Sequence, residues 1–127
     1  MGVRAKRIYD AVERGDGYRI LIDHVWPRGL SRERACLDKW SRELAPSDDL
    51  RKWFDHDPKR FAEFRARYRQ ELAAQHDSLD ELRHRAADGR VTILYAARDQ
   101  EHNNGVVLAE LLSEDVRNLK VEDANTR

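Results

Sequence analysis

Tyr18-Arg19-Ile20-Leu21-Ile22-Asp23-His24-Val25-Trp26-Pro27-Arg28-Gly29-Leu30-Ser31 is the stretch that decides how this chain folds. Tyr18 to Ile22 is aliphatic enough for a buried strand, and Asp23, Trp26, Pro27, Arg28 and Gly29 crowd the point where that strand must end. Its counterpart is Val91-Thr92-Ile93-Leu94-Tyr95-Ala96-Ala97, apolar on both faces of a strand and therefore suited to the middle of a sheet. Helical patterns fill the interval between them. A strand, a helical crossover and a second strand imply parallel pairing, which brings the ends of the two strands, Asp23 and Ala97, to one edge of the sheet. The expected fold class is α/β: a small, mainly parallel sheet with a helical crossover and flanking helices in a single compact domain.

Working outward, Arg7 to Val12 reads as a first short strand, and Gly15-Asp16-Gly17 as a turn into the second, so the two could pair as an edge hairpin. Ser31 is an N-cap with Glu33 in the first turn of a short helix carrying Cys36; Leu37 to Leu44 has no clear pattern. Ser47, followed by Asp48 and Asp49, starts a helix with Leu50, Trp53 and Phe54 as its apolar stripe. Asp57-Pro58 supplies an N-cap and first helical position, after which Phe61, Phe64, Tyr68 and Leu72 recur at helical spacing. Ser78 and Glu81 suggest a capping box opening a helix with Leu79, Leu82 and Ala86, closed by Gly89, with a kink at Asp77. Asn103-Asn104-Gly105 leads into a closing helix with Val107, Leu108, Leu111 and Leu112. Residues 1–119 form the expected domain, and 120–127 a polar C-terminal tail that frays.

The 127 residues contain 24 Lys+Arg and 24 Asp+Glu, so the chain lacks the net field that gathers nucleic acid or anionic membrane. Near neutrality also removes one defence against self-association, which makes a homodimer plausible. Arg65, Arg67 and Arg69, with Arg83, Arg85 and Arg90, suggest basic strips. Glu63, Glu71, Asp80 and Glu81 interleave with them, however, as on a solvated, ion-paired helix face, and this disfavours nucleic acid. Cys36 is the sole cysteine, which excludes an internal disulfide and fits a reducing compartment. Its apolar neighbours suggest a packed thiol. No apolar stretch follows the N-terminus that could serve as a signal or membrane span, so the cytoplasm is the expected location.

Ligands of open parallel α/β sheets bind beyond the carboxyl ends of the strands. That edge should present Arg28 as a bidentate fork beside Gly29, Asp23 as a carboxylate, and the amides near Asn103 and Asn104 as a helix N-terminus suited to an anion. The competing reading pairs Asp23 with Arg28 or with nearby backbone. Arg51 and His56 lie near a helix junction, with His56 flanked by Asp55 and Asp57; it is a candidate general base or simply a hydrogen-bonded link between helices. Tyr95 either donates its hydroxyl into the pocket or caps the core. His24, His56 and His102 with Asp23 or Asp99 lack metal-site spacing, and dinucleotide, phosphate-loop and hydrolase-elbow motifs are missing, so neither metal nor cofactor is expected.

Ile20-Leu-Ile-Asp-His-Val-Trp-Pro-Arg-Gly-Leu-Ser31 resembles the YeaO-like proteins, a DUF488 domain-of-unknown-function family. Trp40, Ala45-Pro-Ser47, Leu50-Arg-Lys-Trp-Phe54, His56-Asp-Pro58, Phe64, Tyr68, Glu71-Leu72, Val91 to Ala97 and Asn104 extend the resemblance over nearly the whole chain from Lys6 to Leu112. It implies a small cytosolic bacterial protein of unsettled activity. His24 stands where the family pattern has arginine, and Gly105 where it has alanine. The functional expectation is a small anionic ligand, with phosphate-bearing molecules among the candidates, held by Arg28, Gly29, Arg51 and Asn104, with Asp23, His56 and Tyr95 as candidate catalytic groups handling protons. Whether turnover occurs is left open. The alternatives are a nucleic-acid-binding or regulatory module and a non-enzymatic dimeric interaction protein.

Overall fold

The computed structural model describes residues 2–125, with side chains described as far as Arg117. Four strands, β1 (Gly2–Arg7), β2 (Tyr18–Leu21), β3 (Lys39–Trp40) and β4 (Arg90–Tyr95), form one sheet in the order β1-β4-β2-β3, and every pairing is parallel. Five α-helices accompany them: α1 (Arg32–Ala35), α2 (Asp48–Phe54), α3 (Phe61–Ala73), α4 (His76–Asp88) and α5 (Asn104–Asn125). The α/β class and parallel sheet agree with expectation. So does the pairing of the two diagnostic strands, in which Tyr18 faces Val91 and Leu21 faces Leu94. β4 lies between β1 and β2, and Val91 to Tyr95 are all buried, which is why this strand reads as apolar on both faces.

Two expectations for the N-terminus are corrected. The first strand is Gly2–Arg7 rather than Arg7 to Val12, and it pairs with β4 rather than with β2 as a hairpin. The chain turns just after Arg7, where Asp10 donates its amide to the Arg7 carbonyl, while Ile8 N–H makes the last bond to Tyr95. Alternation explains the true strand. Val3 and Ala5 pack against the main core, while Arg4 and Lys6 point to the other face and bind Asp16.

That main core joins Ile20, Ile22, Val91 and Ile93 of the sheet to Leu50, Phe54, Phe64, Tyr68 and Leu72 of α2 and α3 and to residues of α4 and α5. A smaller cluster on the opposite face joins Ile8, Leu21, Ala35 and Leu94, with Trp26, Leu30, Leu37 and Trp40 packed against it. The three expected N-caps are present: Ser31 accepts from Arg34 N–H, Ser47 from Leu50 N–H and Asp57 from Lys59 N–H. Asp57-Pro58 opens a single 3-10 turn that runs into α3. The pattern-free stretch from Leu37 to Leu44 holds β3 and a 3-10 turn.

The Ser78 capping box is not formed. α4 starts at His76, and Ser78 Oγ instead donates to Glu43 at 3.1 Å. Cys36 is exposed rather than packed: as the C-cap of α1 it adopts a left-handed φ of 47° and turns outward. The backbone of α5 is helical to Asn125; the side chains of the expected tail, and its last two residues, lie outside the described residues. The helix arginines are ion-paired, Arg65 with Glu110, Arg67 with Glu63, Arg69 with Glu114 and Arg83 with Asp115.

Tyr68 is fully buried and donates its hydroxyl to the Leu44 carbonyl at 2.5 Å, tying α3 to the turn before α2. Tyr68→Phe keeps the ring but strands that carbonyl, so a loss of about 1–3 kcal/mol is expected in urea unfolding, with an unchanged m-value.

Candidate ligand-binding cleft

β2 runs out at Leu21, and Ile22 makes one further bond to the Leu94 carbonyl. The next residue, Asp23, is a clasp between three elements. Its carboxylate accepts Ala96 N–H at 2.8 Å and the Asn104 side-chain amide at 3.0 Å, and its carbonyl accepts Trp40 Nε1–H at 2.8 Å. Asn104 donates to the Ile22 carbonyl as well. The ends of β2 and β4 and the first turn of α5 are thereby fixed to one another. Burial raises the pKa of the Asp23 carboxyl, against the opposing donors Asn104 and Ala96 and the nearby charges of Arg51 and His56.

The Trp-Pro-Arg-Gly loop beyond Asp23 is rigid for identifiable reasons. Trp26 meets Trp40 edge-on with centroids 5.3 Å apart and donates Nε1–H to the Leu30 carbonyl, while Arg32 lies over the Trp26 ring. Gly29 has φ +76°, a conformation favourable to glycine, and Tyr9 donates its hydroxyl to the Arg28 carbonyl at 2.8 Å. On the facing loop, Asp99 accepts from Glu101 N–H, His102 N–H and the His102 ring; its pKa is lowered, first by the Glu101 amide. Asn103 caps α5 by accepting Val106 N–H.

Between these loops lies a cleft of about 610 Å³. Arg28, Arg51 and Arg98 line it together with His24, His56 and His102, against the two carboxylates Asp23 and Asp99. Arg51 pairs with Asp48 at 3.0 Å; among the described residues no carboxylate stands within ion-pair distance of Arg28 or Arg98. The remaining wall is largely apolar and includes Val25, Pro27, Pro46, Phe54 and Ala97.

Of the residues singled out from sequence, Asp23, Arg28, Arg51, His56 and Asn104 come together on this cleft. Two do not. Tyr95 is only 3% exposed and lies in the core, where a Cβ added at Gly105 would come within 2.5 Å of its ring, so glycine at that position makes room for it. Burial raises the pKa of its hydroxyl, opposed by a hydrogen bond with Asn103. Gly29 shapes the loop without lining the cleft. His56 has φ 54°, so the backbone turns sharply as it presents that ring. Sequence reading missed Tyr9, because a first strand drawn too late hides that it follows β1 at the same sheet edge. It chose neither Arg98 nor His102 for the ligand, weighing His102 only as a metal ligand. Among the described residues, no three His, Cys, Asp or Glu side chains are grouped to share a metal ion, and no helix is long and apolar enough to cross a membrane.

Fold and cleft together define a small parallel α/β domain with a preformed, arginine-lined cavity at the carboxyl ends of its strands. The chain belongs to the YeaO-like DUF488 family: residues 2–127 match the model DUF488-N3i, described as the inactive DUF488-N3 subclade. It is 40% identical over 112 residues to the uncharacterised protein YeaO of Escherichia coli, covering 88% of this chain and 97% of that protein. It is also 40% identical over 113 residues to the uncharacterised protein Rv3073c of Mycobacterium tuberculosis, covering 87% and 93%. No solved structure matches the chain at a significant level.

Proposed function

We propose that this protein binds a small anionic molecule in the cleft beyond β2 and β4 without turning it over. The observation that carries the reading is the lining: three arginines, two of them without a carboxylate partner among the described residues, around a cavity whose own carboxylates already accept internal hydrogen bonds. Asp23 and Asp99 are thus held as struts, and the lining contains no serine, threonine, cysteine or lysine to act as a nucleophile. The description of the matched subclade as inactive supports binding over catalysis. In this reading Asp23 positions Asn104 and the start of α5, His56 adds a second donor, and Tyr95 supports the cleft from behind. The arginines of α3 and α4, spent on ion pairs, offer less to a nucleic-acid backbone.

Arg28→Ala tests the reading. The side chain is exposed and anchors nothing, so the melting temperature should stay within about 2 °C of the parent, since surface substitutions of this kind fall within roughly 0.5 kcal/mol. Inorganic phosphate, followed by NMR shifts of the Trp26 indole and the Asn104 amide, should bind at least about 10-fold more weakly, as expected for loss of a charge-assisted pair. Unchanged phosphate binding in the variant, or none in the parent, would overturn the proposal.

A further inference from the structure

Resting on the anion-binding reading, the geometry points to a more specific ligand class for the same cleft: an organic oxyanion whose charged group is carried on a planar, ring-sized apolar body. Size is the first argument. A cavity of about 610 Å³ falls within the roughly 300–1,000 Å³ typical of sites for drug-sized organic molecules, well beyond what a bare oxyanion fills.

Surface chemistry is the second. The exposed large apolar side chains of the described residues are Tyr9, Val12 and Val25, and two of these three stand on this one cleft. Apolar surface left in water at one place, continuous with Pro27, Pro46 and Ala97 inside, marks a surface that something apolar covers. Tyr9 is also fixed in place: its hydroxyl is bonded to the Arg28 carbonyl and Arg7 lies over its ring, 5.2 Å from the centroid. A preset ring at the mouth, bonded to the loop that carries Arg28, suits a ligand with an aromatic or heterocyclic body joined to its anion.

Four probes read the two halves of the ligand separately, by NMR titration of the full chain: inorganic phosphate, phenyl phosphate, benzoate and neutral phenol. Phenyl phosphate is expected to bind at least about 10-fold more tightly than inorganic phosphate, from burial of one ring at about 25 cal/mol per Å². It should weaken by a similar factor in Arg28→Ala, with phenol bound more weakly than either ester or carboxylate. Benzoate tighter than phenyl phosphate would keep the ring and assign a carboxylate as the anion. Equal binding of inorganic and phenyl phosphate would overturn the ring while leaving the anion site standing. Phenol binding as tightly as phenyl phosphate, or no phosphate binding of any kind, would overturn both readings.

Discussion

Asp16→Asn should lower the stability of the folded protein by about 3 kcal/mol or more and the melting temperature by on the order of 10 °C. Asp16 is wholly buried on the face of the sheet opposite the main core. Its carboxylate accepts from Arg4, from Lys6 at 3.1 Å, from Arg19 at 2.5 Å and from Glu13 N–H, while its carbonyl accepts Thr92 Oγ1–H. Arg19 is itself only 4% exposed and holds the carbonyls of Ala35 and Cys36. Removing the one buried negative charge leaves Arg19 desolvated without its counter-ion and Lys6 with Glu13 alone, and breaking a buried pair from one side costs more than the intact pair contributes.

The same network predicts an acid response. Burial by itself would raise the Asp16 pKa, but the donors Glu13 N–H, Lys6, Arg19 and Arg4 prevail and hold it to about 2, below the ordinary 3.8. A carboxyl depressed on folding contributes stability that is fully present above its unfolded pKa and disappears as pH falls through the folded value. The parent should therefore lose stability between about pH 4 and pH 2, and Asp16→Asn should show a flatter profile there. Calorimetry across that window checks both statements. A variant melting within 2 °C of the parent at pH 7 would show that the cations find water or other partners instead.

Gly17→Ala, one residue further on, should cost at least about 2 kcal/mol. Gly17 has φ +63°, and a Cβ there would come within 2.2 Å of the Arg90 carbonyl oxygen. The obstruction is backbone of β4, which cannot swing aside like a flexible side chain. Tyr18, the next residue, opens the β2 ladder by pairing with Val91, so relieving the clash would disturb the pairing from its first rung. Gly15→Ala is the control, having open space at its Cβ and no left-handed φ, and it should stay within about 0.5 kcal/mol of the parent. Equal urea midpoints for the two variants would remove the argument.

These two residues also show where sequence reading stops. Gly15-Asp16-Gly17 reads as a turn, which it is, yet nothing local says that its aspartate is the hub of a buried ion network. The hint was the alternation Val3-Arg4-Ala5-Lys6, whose meaning depends on which face of which strand those cations occupy. Site residues divide the same way. Asp23, Arg28, Arg51, His56 and Asn104 reach the cleft because a strand end in a parallel sheet and the adjoining helix starts are legible from pattern and capping chemistry. Tyr95 does not reach it, since the inward or outward sense of one residue in a strand buried on both faces is invisible to periodicity.

The α/β class, the parallel pairing of β2 with β4, the caps at Ser31, Ser47 and Asp57, and the sheet edge that bears the cleft are all legible in the sequence. Each of these follows from hydrogen bonds a few residues apart or from the period of apolar side chains. The insertion of β4 between β1 and β2, the gathering of Arg4, Lys6 and Arg19 by Asp16, the place of Tyr9 on the cleft and the solvent-facing Cys36 emerge only in three dimensions. Those outcomes depend on groups as much as 88 residues apart, as Arg4 of β1 and its partner Thr92 of β4 are, and contacts of that separation are set when the sheet assembles rather than by the local preferences of either segment.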